Sequence, residues 1–272
     1  MKAIKEVSTT ILAIALLVLC SINCKSQIKA DKQKTQQTSF EHPEAKLLRK
    51  DLGTKNEELQ GQLQLAIGNN DIEEIKVLVK KGVNTNKLPG NTDMTPIMIA
   101  ETREIAQLLL KNGANPLVID AANGQNLLHY AVSKENAVDL ILFYVSLGVE
   151  INARDQEDYT PLSLALTYFD EANAFDSQQV FVGGENNQSN EKDFKPNPYK
   201  TLKTLVKSGA DLNAFDQYGY TLLMNYVTND NPNLIKILLE LGADKNIQNK
   251  YGQTAKDIAY NEGKRAIYQL LE

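Results

Sequence analysis

Residues 209–246 read GADLNAFDQYGYTLLMNYVTNDNPNLIKILLELGADKN, and the fold is decided there. The stretch opens on Gly-Ala-Asp-x-Asn at Gly209 and returns to it at Gly242, a period of 33 residues. Between the two marks lie a turn-rich piece (Asp216-Gln217-Tyr218-Gly219), then Thr221-Leu222-Leu223, then an apolar run ending at Leu238-Leu239. A fixed period of this size marks a chain built from stacked units, each too small to bury its own apolar face.

The same marks recur along the chain. Gly82, Gly113, Gly148, Gly209 and Gly242 are spaced 31, 35, 61 and 33 residues apart. Threonine or asparagine before an apolar pair recurs with them, at Thr95, Asn126, Thr160 and Thr221, and Thr254 stands before Ala255. Such residues cap a helix start, and the proline of Thr95-Pro96 and Thr160-Pro161 suits the first helical position. The glycines suit the left-handed backbone at a helix end. The pattern resembles the ankyrin repeat, D-x-x-G-x-T-P-L-x-x-A followed by I-V-x-L-L-L-x-x-G-A-D-x-N. The resemblance implies an all-α ankyrin-repeat solenoid over residues 56–272: six stacked helix-turn-helix units with finger-like turns.

Two units depart from the period. Thr95 to Gly113 spans 18 residues against 21 from Thr221 to Gly242, so the second repeat is about one helical turn short near Glu101-Thr102-Arg103-Glu104. The fourth begins at Thr160-Pro161-Leu162 but reaches Gly209 only 49 residues later. Its extra material, about residues 170–199, is rich in Gly, Asn, Gln, Ser and Lys and reads as a long loop insertion, either functional or disordered. Val180-Phe181-Val182 is its one apolar spot. The end repeats are atypical, as solenoid caps are: the first, Gly61 to Asn86, lacks its threonine, and the last carries Lys256 and Asp257 at apolar positions. The first is expected to pack Leu63, Leu65, Ala66 and Ile67 against Ile75, Val77, Leu78 and Val79.

The N-terminus belongs to another regime. Lys2 and Lys5 precede Ile11 to Leu19, an apolar run shorter than the roughly 20 residues of a membrane span. Residues 1–26 therefore read as a signal peptide and the protein as exported, periplasmic or secreted. Cys20 and Cys24 follow the apolar core, a position that resembles a bacterial lipoprotein signal; ordinary cleavage near Ser26-Gln27 is the alternative. Leu19 and Asn23 precede the cysteines where such sites prefer a small residue. A lipid anchor at one of them would be the only membrane attachment. Beyond them the chain has no cysteine, so its stability rests on an apolar core. Residues 27–55, rich in Lys, Gln, Thr, Ser and Glu, read as a flexible linker.

Composition excludes more than it assigns. A net charge of −5 gives no basic face for nucleic acid. His129 is the one histidine of the repeats, His42 lying in the linker; with no cysteine in the fold, a nitrogen or sulfur metal site is not expected. The resemblance gives His129 the task of tying neighbouring turns together. No Walker loop, Gly-x-Ser-x-Gly or His-Glu-x-x-His occurs, so neither a catalytic residue nor a cofactor is expected. The insertion's carboxylates (Asp170, Glu171, Asp176, Glu185, Glu191, Asp193) are the one place for a rival, enzymatic reading.

In ankyrin proteins the fingertips and inner helices form a concave surface that binds proteins. The resemblance carries that role onto Gln156, Glu157 and Tyr159, onto Gln217, Tyr218 and Tyr220, and onto Lys250, Tyr251 and Gln253. Tyrosine offers a rigid contact area with a polar tip and is enriched among interface hot spots. The expected function is a non-enzymatic, monomeric module that binds a protein partner. A narrower alternative is an immunity or protective factor for a secreted toxin or exported enzyme.

Overall fold

A computed structural model describes residues 43–90, 92–175 and 198–272. The signal segment 1–26, Cys20 and Cys24, residues 27–42 of the expected linker and residues 176–197 of the expected insertion lie outside the described residues. The chain divides into two compact units, Met1–Lys55 and Asn56–Glu272. In the first, the described residues 43–55 are helical, belonging to α1 (Pro43–Gly68). A linker was expected up to residue 55; Pro43 at the first helical position and the helix formers of EAKLLRK account for the earlier start.

The second unit is all-helical among the described residues. After α1 come α2 (Ile72–Lys80), α3 (Arg103–Lys111), α4 (Leu127–Ala131), α5 (Ala137–Ser146) and α6 (Pro161–Phe175). Then follow α7 (Pro198–Lys207), α8 (Leu222–Thr228), α9 (Pro232–Leu241), α10 (Ala255–Asn261) and α11 (Arg265–Leu270). Helices pair within a repeat and stack between repeats: inner helix α4 on α6 and α8 on α10, outer helix α3 on α5, α5 on α7 and α9 on α11. This is an ankyrin-repeat solenoid.

Its starts are capped as the sequence dictates. Thr254 and Asp257 form a reciprocal box, as do Asn126 and His129, while Thr221 accepts from the Met224 amide at 3.4 Å. The outer helices end at glycine, with Gly242 at φ 101° capping α9. Gly82, Gly113, Gly148 and Gly209 share that left-handed backbone, where a β-carbon would be strained.

The core is one apolar seam through all the repeats, including Leu63, Ile75, Leu109, Leu140, Leu166, Leu205 and Leu238, each with no exposed surface. Each such side chain contributes about 1.5–3 kcal/mol of burial. Two residues expected in the first repeat's core point outward instead: Leu65 is 68% and Val77 43% exposed. Each lies on the opposite side of its helix from the buried pairs Leu63/Ile67 and Ile75/Leu78.

The second repeat departs further. Where a helix was expected from Thr95-Pro96, residues 96–99 make only turns, with Met98 N–H donating to Thr95 O (3.0 Å) and Ala100 N–H to Ile97 O (3.3 Å). Thr102 caps α3, so too few residues separate the two caps for an i→i+4 ladder to run. The cap chemistry is missing as well. Thr95 donates its amide to the Met98 sulfur at 3.4 Å, and its hydroxyl finds no partner among the described residues. Ile97, Met98 and Ala100 still enter the core.

Candidate functional site

Three successive fingers carry the candidate residues, and one residue type builds each of them. In the fourth, Asp155 N–H donates to Tyr159 O (2.9 Å) while its carboxylate accepts from the Glu157 and Tyr159 amides. Asp216 repeats this with Tyr218 and Tyr220, and Asn249 with Tyr251 and Gln253. The opening Asp or Asn thus wraps the turn and fixes the tyrosine backbones. Gly219 and Gly252 take the left-handed position within it. In the fourth finger Asp158 holds that position at φ 69°, a conformation that short polar side chains tolerate.

Asp158 also explains how the fingers are joined. Its Oδ2 accepts from Arg154 Nη1 (2.6 Å) and from the Gln217 amide of the fifth finger (3.1 Å). Arg154 Nη2 donates to Phe215 O in the same finger. Gln156 donates its amide to Asn123 O (2.8 Å) and its side-chain amide to Ala121 O (3.1 Å), reaching back to the third. The Lys250 side chain lies over Gly219, 3.4 Å from where a β-carbon would stand, and its ammonium sits 5.3 Å from the Tyr251 ring centre.

Behind the fingers, His129 is buried and ties two turns as expected. Its Nδ1 accepts from the Asn126 amide (3.2 Å), so Nε2 carries the proton and donates to Tyr159 O (3.0 Å). Burial holds its pKa below 6.5 against the opposing pull of Tyr159 and Asp155. Asp120, opening the third finger, is 1% exposed. Burial alone would raise its carboxyl, but hydrogen bonds from the Tyr130 hydroxyl (2.8 Å), Asn123 and the Ala122 amide outweigh it and hold the group below 3.8. Asn225 makes the matching bond to Asp216 (2.9 Å). In the fourth repeat the equivalent residue is Leu164, and Gln125 of the preceding finger bonds Asp155 instead.

The nine candidates therefore divide. Tyr218 (62% exposed) and Tyr251 (66%) stand free of the core, with Tyr159 (37%) beside them, and Glu157 is exposed. Tyr220 is half-buried and packs on the core. Gln253 is half-buried and bonded to Asn249. Gln156, Gln217 and Lys250 are exposed yet join fingers, Gln156 through both its amides, Gln217 through its backbone amide and Lys250 by lying over Gly219. Three exposed apolar residues were missed: Leu117 (58%), Ile119 (66%) and Phe215 (47%). Ile119 and Phe215 immediately precede the turn aspartates, an apolar choice at a solvated position that was there to be read.

The carboxylates of the insertion and Val180-Phe181-Val182 lie outside the residues whose side chains are described. Among the described residues no group of three His, Cys, Asp or Glu is placed to hold a metal ion, and no described helix is long and apolar enough to cross a membrane.

Comparison with known proteins agrees with the repeat fold. Residues 205–259 match the family model for ankyrin repeats in many copies, and residues 92–121 match the model for the ankyrin repeat. The chain is 36% identical over 112 residues to ankyrin repeat protein FPV031 of Fowlpox virus (strain NVSL), covering 39% of this chain and 32% of that one. It is 28% identical over 201 residues to palmitoyltransferase ZDHHC13 of Danio rerio, covering 72% of this chain and 27% of that one. It thus spans about a third or less of the curated relatives it matches. A chain from the solved complex of the predatory endopeptidase Bd0816 of Bdellovibrio bacteriovorus with immunity protein Bd3460 shares the fold. The TM-score is 0.51 at 24% identity, covering 77% of this chain and 96% of that one. The protein thus contains ankyrin repeats, a scaffold generally used for protein interaction.

Proposed function

We propose that the protein is a non-enzymatic binding module that grips a protein partner through its fourth to sixth fingers and the inner helices behind them. One observation carries this reading: Tyr159, Tyr218 and Tyr251 are exposed on consecutive fingers whose backbones are fixed by Asp155, Asp216 and Asn249. Rings presented on a rigid frame lose little entropy on binding. The test is a pull-down from the native cell with all three changed to alanine. Loss of the partner with the fold intact is the expected result; unchanged recovery overturns the assignment.

The N-terminal pattern of Lys2, Lys5 and the Ile11–Leu19 run supports export, with cleavage near Ser26-Gln27 or lipidation at Cys20 or Cys24. Mass spectrometry of the mature N-terminus decides between them. A narrower reading, an immunity or protective factor, is favoured by the shared fold with a chain from an endopeptidase–immunity protein complex. It predicts that the partner is a secreted toxin or enzyme, inhibited stoichiometrically by this protein. Deleting residues 172–197 separates both readings from an enzyme built on the insertion: a finger-face binder keeps its partner, an enzyme loses its activity.

A further inference from the structure

On the outer side of the array α5 packs on α7, and Asp139 is the only charged residue of α5. Ala137, Leu140, Ile141 and Tyr144 of this helix are buried in the core. Asp139 and Phe143 face α3, where Arg103 bonds the Asp139 carboxylate (3.2 Å) and lies 4.8 Å over the Phe143 ring centre. The remaining side carries Val138, Leu142 and Val145, spaced i, i+4 and i+7 in one stripe. That is the side turned toward α7, yet Leu142 is 50% exposed and Val138 and Val145 are only half-buried. The neighbouring helix supplies the opposite character. It buries Thr201, Leu202 and Leu205, exposes Lys200, Lys203 and Lys207 on one outward face, and has no acidic residue. Two other cations of the outer helices are answered, Lys76 by Glu73 and Arg103 by Asp139. Lys203 and Lys207 make no ion pair among the described residues. The other carboxylates near α5 stand beyond its two ends, at Glu135 and Glu150, both exposed.

We infer that this outer face docks an acidic amphipathic helix of a protein partner, whose apolar residues lie on Val138, Leu142 and Val145 and whose carboxylates meet Lys203 and Lys207. Charge complementarity selects this occupant. The surface is apolar along α5 and cationic along α7, so a segment lying lengthwise on it needs apolar residues on one edge and acids on the other. A helix provides both edges through its own spacing. A broad anionic surface such as a bilayer fits less well, because its charge would also fall on Glu135 and Glu150. Complementary charge of this kind sets orientation and encounter rate, and the binding it supports weakens with salt. The stripe belongs to the outer helices and does not depend on the finger face being a binding face.

Two synthetic amphipathic peptides with the same leucine stripe serve as probes, one flanked by glutamates and one by lysines, titrated into the isotope-labelled full chain. The glutamate peptide is expected to shift the amides of Leu142, Lys203 and Lys207 and to bind several-fold more weakly when salt rises from about 0.05 M to about 0.5 M. Leu142→Ser and the double variant Lys203→Gln/Lys207→Gln should each weaken it by about three- to tenfold, and Lys203→Glu/Lys207→Glu should abolish it. All three side chains are exposed, so the thermal midpoint should hold in each variant. Equal shifts from both peptides, or shifts from neither, overturn the proposal, as does unchanged binding by both lysine variants. Phosphatidylglycerol vesicles that broaden these amides while the glutamate peptide leaves them unmoved would put a membrane in the partner's place. The variant with Tyr159, Tyr218 and Tyr251 changed to alanine should still bind the glutamate peptide. If it does not, the peptide sits on the fingers and the outer face is overturned.

Discussion

Asn152 Oδ1 accepts the backbone amide of Asp211 at 2.9 Å, although 59 residues of chain separate the two. The same side chain donates to Gly209 O at 3.2 Å. Asn86 does this for Asn115 (2.8 Å) and Gly113 (2.7 Å), and Asn213 accepts from Asp244 (2.9 Å). In these repeats the asparagine four residues after the glycine therefore clamps the opening of the next such segment, and the clamp is made across the insertion as it is elsewhere.

One member of this ladder is absent: Leu117 stands in the asparagine position of the second repeat and is 58% exposed. Leu117→Asn should restore a pair of inter-repeat bonds and stabilise the array by about 0.5–1 kcal/mol, read as a higher urea midpoint. Asn152→Ala should cost about 1–2 kcal/mol in the same assay.

Asp158 combines a strained backbone with bonds to Arg154 and Gln217. Glycine relieves the strain as it loses the bonds, whereas alanine loses the bonds and keeps the strain. Asp158→Ala should therefore be less stable than Asp158→Gly by about 1 kcal/mol in denaturant titration. Equal values would mean that the left-handed position costs nothing.

The depressed pKa of His129 gives stability a pH dependence with a definite sign. The unfolded chain takes up a proton below 6.5 while the buried ring resists it, so stability is full above 6.5 and falls as pH drops below that value. His129→Gln should flatten the thermal-midpoint curve between about pH 6.5 and about pH 5. Asp120 acts later: its stabilisation is present above 3.8 and is lost as pH falls through its lower folded value.

Tyr218 and Tyr220 lie two residues apart with opposite duties. Tyr218→Ala should leave stability within about 0.5 kcal/mol and reduce partner recovery. Tyr220→Ala should destabilise by about 1–3 kcal/mol, since its ring packs on the core. Equal thermal midpoints for the two variants would contradict that division.

The repeat register was legible because glycine, threonine and leucine each answer a local demand: a left-handed helix end, a cap and a buried stripe. What escaped was set by neighbours. Nothing local to Leu65 or Val77 says which side of its helix will face the core, because the next repeat decides that. The turns of residues 96–99 follow from the distance between two caps, with Met98 where a cap partner would stand. In the finger row the tyrosines were readable. The tasks of Gln156, Gln217 and Asp158 as links between fingers were not, since each partner sits one repeat away.

The clamp of Asn152 on Asp211 has a practical corollary. Because alignment of the fourth and fifth repeats is set by finger residues, the junction between α6 and α7 is a natural port for cargo. A reporter domain grafted between residues 175 and 198 would be carried on the array without moving the fingers that face the partner.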